Sequence, residues 1–311
     1  VQTVSQGNAA RPFASPSEPL ARTSPYVLAI SSGKGGVGKT NVVINLAIEI
    51  QRRGLRVLVF DADLGLSNVP ILLGLVPEYN ISHVLFGEMR MKEVLFPGPE
   101  GVTVLPAGFG VQEMAVLTEE QQLRLLCETE ELEEDFDVVL IDTGAGISPN
   151  VLFFNIVSHD NIVVVCPEPA SMSDAYVLMK ILALQYQRKT FKVLMNSVKE
   201  ESESALVLDR ITEACQRFLG VSVRHFGNIP YDRRIREAVR SQKPVVELYP
   251  EAASSRSFSE LASRVLGSIP DDYPVGSLQF FWKRLFSSDV SEWGVGEPEE
   301  PSRARPTLVR T

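Results

Sequence analysis

The sequence predicts a doubly wound α/β fold on a mostly parallel sheet, and three observations carry that prediction. Short apolar runs of the fully buried strand type recur at residues 26–30, 56–60, 102–105, 137–141, 161–166 and 191–196. Helical stretches alternate with them, which is the pattern of strand–helix–strand crossovers. The first run opens into a glycine-rich turn, Gly33-Lys34-Gly35-Gly36-Val37-Gly38-Lys39-Thr40, and a helix follows it directly.

Taken in order, the helix after that turn carries Val42, Val43, Leu46, Ala47 and Ile50 on one side and stops at Gly54. The strand over 56–60 ends in Asp61-Ala62-Asp63-Leu64-Gly65-Leu66-Ser67-Asn68. Residues 70–100 read as short helical pieces broken by Gly87, Pro97 and Pro99, and the strand over 102–105 leaves through Pro106-Ala107-Gly108. A polar helix starts near Thr118, with Gln121 at the capping-box position. The strand over 137–141 ends in Asp142-Thr143-Gly144, and the strand over 161–166 exits through Pro167-Glu168-Pro169. A helix over 173–188 is expected to bury Tyr176, Val177, Met179, the stem of Lys180, Ile181 and Leu184. Asn196 tips the next strand, a helix spans about 202–219, and a short strand over 223–226 leads into Gly227-Asn228-Ile229-Pro230-Tyr231-Asp232. The expected organisation is a flexible arm over 1–24, one domain over 25–270, an amphipathic helix over 274–288 and a disordered tail over 289–311.

Composition narrows the class. With 44 % hydrophobic and 22 % charged residues in 311, the chain reads as an ordinary soluble protein with a large core. No apolar run approaches the roughly 20 residues of a membrane-spanning helix. Residues 1–25 lack the apolar stretch of a signal peptide, so a cytoplasmic protein is expected. A net charge of −9 opposes broad attraction to nucleic acid. Cys127, Cys166 and Cys215 are odd in number and far apart, and His83, His159 and His225 are equally scattered. Neither a disulfide framework nor a zinc site is expected.

The chemistry concentrates at the strand ends. Two glycines separated by four residues and followed by Lys-Thr form the phosphate-binding P-loop pattern, in which successive backbone N–H groups and a helix N-terminus face one anion. Lys39 then lies along the β- and γ-phosphates, and the Thr40 hydroxyl is a Mg²⁺ ligand. Asp61 and Asp63 leave the second strand at the same crevice, and Asp142, after four apolar residues, has the position of a Walker-B acid that holds Mg²⁺. Asn196 offers a side-chain amide to a purine edge. It is not followed by the Lys-x-Asp that reads guanine, which favours adenine. Lys34 is the oddity. A second lysine beside the same phosphates repels the first unless a highly charged ligand shares it or it points elsewhere.

Beyond the domain, Leu278, Phe281, Trp282, Leu285 and Phe286 repeat at i, i+3, i+4, i+7 and i+8, with Gln279, Lys283 and Arg284 opposite. That pattern suits a helix lying in a membrane surface, and equally a terminal helix packed on its own domain.

The extra lysine in Gly-Lys-Gly-Gly-Val-Gly-Lys-Thr resembles the deviant Walker A motif of the MinD/ParA class of P-loop ATPases. Residues 61–68 are similar to that class's switch I, and Asp142-Thr143-Gly144-Ala145-Gly146 to its Walker B and switch II. Within the class the sequence looks most like the flagellar-number regulators FlhG and FleN. The residues that carry this are 61–75, Glu168-Pro169 with Ser173-Asp174-Ala175-Tyr176, Ile229-Pro230-Tyr231-Asp232 with Val239, and Leu278-Gln279-Phe280-Phe281. The resemblance implies a P-loop NTPase fold with a C-terminal amphipathic helix, and slow, partner-stimulated hydrolysis of ATP with Mg²⁺. It implies a homodimer around two ATP molecules, in which Lys34 of each copy reaches the phosphates held by the other. Asp63 would position water, Thr40, Asp61 and Asp142 would organise Mg²⁺, and the loop from Gly33 to Thr40 would cradle phosphate. Asn196 and the Pro230 backbone would hold adenine, while Glu168 and Asp174 would lie at the nucleotide-bridged interface. The implied partners are a FleQ-like transcription activator, an FlhF-like GTPase, and the membrane surface at the cell pole through the terminal helix. FlhG proteins stimulate FlhF through an N-terminal segment built around Asp-Gln-Ala, and residues 1–24 contain none. Two relatives in the same class give the alternatives, a ParA-type partition ATPase that coats DNA and a MinD-type division-site ATPase.

Overall fold

A computed structural model describes residues 25–270, apart from Leu66, residues 109–113, Ala115 and Glu133. The expected arm (1–24), the terminal helix with Leu278, Phe281, Trp282, Leu285 and Phe286, and the tail (289–311) lie outside the described residues. The chain opens with β1 (Tyr26–Ser32), α1 (Lys39–Gln51) and β2 (Val57–Ala62). Three short helices follow, α2 (Val69–Leu73), α3 (Ile81–Leu85) and α4 (Met91–Val94), and then β3 (Phe96–Pro97) and β4 (Thr103–Leu105). The alternation continues through α5 (Glu119–Glu130), β5 (Val138–Ala145), α6 (Pro149–Val157), β6 (Asp160–Val165) and α7 (Pro169–Tyr186). It ends with β7 (Thr190–Val198), α8 (Glu201–Leu219), β8 (Ser222–Pro230), α9 (Arg233–Arg240), α10 (Val245–Leu248) and α11 (Ala253–Leu266).

Among the described residues, eight strands form one sheet in the order β3-β4-β2-β5-β1-β6-β7-β8. Every neighbouring pair is parallel except β3–β4. This is the expected doubly wound α/β fold. From the central β1 the chain winds outward to both sides, so the crevice at the β1 C-terminus is a topological switch point. Alternate residues of a strand face opposite layers. Leu28 and Ile30 join α1 and α11 in one core, with Val42, Leu46, Ile50, Phe258 and Leu261. Val27, Phe60 and Ile141 join Leu125 of α5 and Phe154 of α6 in a second. Val163 and Val193 meet Leu178 and Leu182 of α7 and Ile211 of α8 in a third. Among the described residues no helix is long and apolar enough to cross a membrane.

Four details depart from expectation. The one-sided apolar stripe read for α1 is a full wrap, since Ile44, Asn45, Ile48 and Glu49 are buried as well. α10 and α11 cover its outer side. Asn45 Oδ1 accepts from the Val246 N–H at 3.1 Å, and the Arg53 guanidinium donates to the Ser259 carbonyl at 2.6 Å. Of the face expected to be buried on α7, Met179 is buried and Tyr176 and Ile181 are half-buried, but Val177, Lys180 and Leu184 are exposed. Ser171, Ala175, Leu178, Met179, Leu182 and Ala183 are buried, while Val177 and Leu184 are 41 % and 60 % exposed. Small residues let α7 approach the sheet closely, and a reading weighted by bulk misses them. The edge strand β3 lies where short helices were expected, held antiparallel to β4. α6, N-capped by Ser148, was not anticipated. The capping box at Thr118 forms as read, with Gln121 N–H donating to the Thr118 hydroxyl at 3.2 Å and Gln121 Oε1 accepting from the Thr118 N–H at 3.0 Å.

Candidate nucleotide site

The loop between β1 and α1 is shaped by its glycines. Gly36 and Gly38 have φ of 78° and 88°, a region open to glycine and strained for other residues. Gly38 is also the N-cap of α1, so the first turn of that helix faces the crevice. Gly33 serves a different purpose. A Cβ there would fall 2.1 Å from the Asp174 carbonyl carbon and 2.5 Å from the Ala175 nitrogen, so the loop rests on the α7 backbone with no room for a side chain. Gly35 approaches Ala145, and Gly146 N–H donates to the Ser32 carbonyl at 2.9 Å, which ties the exit of β5 to the loop entrance. Val37 is buried beneath.

The electrostatic centre is buried. Lys39 Nζ lies 2.6 Å from Asp142 Oδ1, with both side chains nearly inaccessible. The parallel register of β2 and β5 sets Asp61 beside Asp142. Asp61 is fully buried, and its Oδ2 accepts from the Ser67 hydroxyl (2.8 Å) and from the N–H groups of Asn68 and Val69 (both 3.1 Å). Burial first, and the neighbouring Asp142 carboxylate second, raise the Asp61 pKa to about 7, against the hydrogen bonds from Ser67, Val69 and Asp63. The other oxygen of Asp142, Oδ2, is buried with no hydrogen-bond partner among the described residues. Two facing carboxylates, one lysine and an orphaned acceptor form an oxygen-rich set that fits a hard divalent cation. Thr40 follows Lys39 at the same helix start. Asp63 is half-buried, with its carboxylate 3.6 Å from where a Cβ of Gly144 would sit, beside the segment after Asp142.

The rim is different in kind. Lys34 Nζ meets Glu168 Oε2 at 3.4 Å, with the two side chains 42 % and 63 % exposed. An exposed pair of this sort contributes at most about 1 kcal/mol and exchanges partners easily. Lys34 is therefore held at the mouth and not over its own loop. Asn196 donates its amide N–H to the Val37 carbonyl at 2.6 Å. One amide N–H of Asn196 is thus used on the loop, which leaves its second N–H and its Oδ1 for a base. Pro230 reaches the same edge, since Val198 and Pro230 are register partners and Tyr231 N–H donates to the Val198 carbonyl at 2.8 Å. Sequence reasoning missed a polar chain under the site. Thr143 Oγ1 lies 3.0 Å from Ser31 Oγ, which donates to Asn155 Oδ1 at 2.9 Å, and Asn161 Nδ2 donates to the Asn155 carbonyl at 2.8 Å. Its signal was a serine pair, Ser31-Ser32, inside an otherwise apolar strand.

Comparison with known proteins fits this geometry. Residues 28–245 match the CobQ/CobB/MinD/ParA nucleotide binding domain. The chain is 39 % identical over 259 residues to the antiactivator FleN of Pseudomonas aeruginosa, covering 83 % of this chain and 92 % of FleN. It is 28 % identical over 262 residues to the flagellum site-determining protein YlxH of Helicobacter pylori, covering 83 % and 88 %. Among solved structures, the MinD cell division protein of Aquifex aeolicus superposes with a TM-score of 0.64 at 26 % identity, over 80 % of this chain and 100 % of that one. The loop, the paired acids and the sheet order thus have a common explanation: the chain belongs to the CobQ/CobB/MinD/ParA family of nucleotide-binding domains, as an ATPase of its MinD/ParA class.

Proposed function

We propose that the protein is an ATP-dependent dimerising switch that limits flagellar number, acting on a flagellar transcription activator, an FlhF-like GTPase or both. The observation that carries the switch is the contrast between two lysines of one loop. Lys39 is buried against Asp142, whereas Lys34 stands exposed at the rim, loosely paired with Glu168. A rim lysine is free to serve phosphates that arrive with a second copy. The flagellar assignment is supported by the similarity to FleN and YlxH.

In this reading Lys39 exchanges part of its pairing with Asp142 for the β- and γ-phosphates of ATP. Thr40, Asp142 and Asp61 hold Mg²⁺, which neutralises phosphate charge when bound. Asp61 would offer the ion Oδ1, because its Oδ2 already accepts three hydrogen bonds from the segment entering α2. Asp63 orients the attacking water. Asn196 Oδ1 accepts from the adenine amino group beside the Pro230 backbone. Glu168 and Asp174 line the seam between the two copies, and Lys34 crosses it. The protein works in the cytoplasm and reaches the inner membrane face through residues 274–288. Co-sedimentation with anionic liposomes in ATP, and its loss in ADP, checks that last point.

The experiment for the flagellar role is a count of flagella per cell. Deleting the gene raises the count, the wild-type gene restores it, and a Lys34→Ala gene does not. Normal flagellation with minicells would overturn the assignment in favour of a MinD-type role. Salt-sensitive binding of random DNA in ATP would favour a ParA-type one.

A further inference from the structure

α9 is out of keeping with the charge of the chain. The protein carries a net −9, yet this one helix holds Arg233, Arg234, Arg236 and Arg240 against a single acid, Glu237. Arg234 donates to Glu237 at 2.9 Å, and Lys243, just past the helix, pairs with Glu247 at 2.8 Å. Among the described residues, the exposed Arg233, Arg236 and Arg240 form no ion pair. Arg236 and Lys199 instead lie over the Tyr231 ring, at 5.4 Å and 5.7 Å from its centre. A ring face attracts a cation without neutralising it. Apolar surface adjoins the cations. Val239 is exposed on α9, and Gln242 Nε2 donates to the carbonyl of the exposed Ile71 at 2.9 Å, so the turn behind α9 touches α2. Uncompensated cations beside apolar side chains fit an acidic segment that carries an aromatic residue.

The chain supplies such a segment. Residues 289–300 contain Asp289, Glu292, Glu297, Glu299 and Glu300, no cation, and Trp293. Glu292 comes 22 residues after Pro270, the last described residue. With 274–288 helical as expected, that helix reaches about 22 Å at 1.5 Å per residue, and the few residues on either side add a short flexible reach. Covalent attachment also gives the segment an effective concentration on the order of millimolar, enough for a weak, mainly electrostatic contact.

We propose that residues 289–300 dock intramolecularly on the basic face of α9, with the carboxylates over Arg233, Arg236 and Arg240 and Trp293 against Val239 and Ile71. Occupancy restrains α2 through the Gln242–Ile71 hydrogen bond, and hence the segment that Asp61 anchors. The docking itself needs no nucleotide and does not rest on the proposed function.

The test is amide hydrogen exchange over residues 233–243 in the full chain, compared with a full-length Glu292→Gln, Glu297→Gln, Glu299→Gln, Glu300→Gln variant. Several-fold faster exchange in the variant is expected, and similar acceleration of the wild type in roughly 0.5 M salt, where the screening length falls to a few ångströms. The wild-type rate should not depend on protein concentration. Equal rates in the two chains would overturn the proposal. Protection that disappears on dilution would overturn it too, because a second copy would then be the occupant. A complementary readout keeps the tail intact. In a Trp282→Phe background, Arg233→Ser, Arg236→Ser and Arg240→Ser together should raise acrylamide quenching of Trp293, and unchanged quenching would contradict the docking.

Discussion

Lys34 and Lys39 sit five positions apart in one loop, and the surroundings of each decide what its removal costs. Among the described residues Lys39 alone pairs with the buried Asp61–Asp142 couple, so Lys39→Met leaves the two acids facing each other with no counter-charge. Loss of about 3–5 kcal/mol is expected in urea unfolding of the nucleotide-free protein, as for other buried pairs broken on one side. Lys34→Ala removes an exposed pair with Glu168 and should move the same midpoint by no more than about 0.5 kcal/mol. Comparable losses for the two variants would contradict the division into a buried centre and an open rim. Gly33 belongs to the same scale. Its replacement by Ala drives a methyl group into the Asp174 backbone, so the loop must leave α7.

At the scale of elements, the junction of α6, β6 and α7 is where buried polar groups set stability. The Arg188 guanidinium gathers the carbonyls of Asn155 (2.9 Å), Ile156 (3.0 Å) and His159 (3.2 Å), with Ser158 as a further acceptor. Those of Asn155, Ile156 and Ser158 belong to the end of α6, where carbonyls lack intrahelical partners. Arg188→Met should cost about 2–4 kcal/mol in urea unfolding, since it orphans several acceptors at once. His159 responds to pH at the same junction. Its Nδ1 accepts from the Val27 N–H at 3.0 Å, and burial, with the Arg188 charge, lowers its pKa from 6.5 to about 4. The unfolded chain takes up this proton near pH 6.5 and the folded chain only near 4. Stability from this group is therefore complete above pH 6.5 and falls as the pH drops toward 4. Between pH 7 and 5 the loss attributable to His159 is about 2 kcal/mol, and His159→Gln should remove that component of the pH dependence.

The elements also separate what the chain declares locally from what assembly decides. The P-loop, the strand ends at Asp61 and Asp142, and the Thr118 capping box depend on neighbours in sequence, and all were legible there. The wrap of α1 was not, because Asn45 and Ile48 are covered by α10 and α11, some 200 residues later. The buried face of α7 was not either, because its small residues matter through the space they leave for Gly33. Asn196 reads as a base contact from its strand position alone, and its further bond to the loop is a product of assembly. Its use on the Val37 carbonyl is visible only once β7 lies beside the loop.

For the molecule as a whole, two facts about charge belong together. The phosphate site keeps its own lysine inside, and it presents a second lysine at the rim beside Glu168. In the proposed function such a site is completed by a second copy, and hydrolysis with Asp63 orienting water ends the pairing. The most direct measurement is the mass of the purified full chain in solution with Mg²⁺ and ATP, for the wild type, Lys34→Ala and Asp63→Ala. The account predicts a monomer without ATP, dimers with it, no dimer for Lys34→Ala and an accumulated dimer for Asp63→Ala. Three proteins that bind ATP yet remain monomeric alike would contradict it.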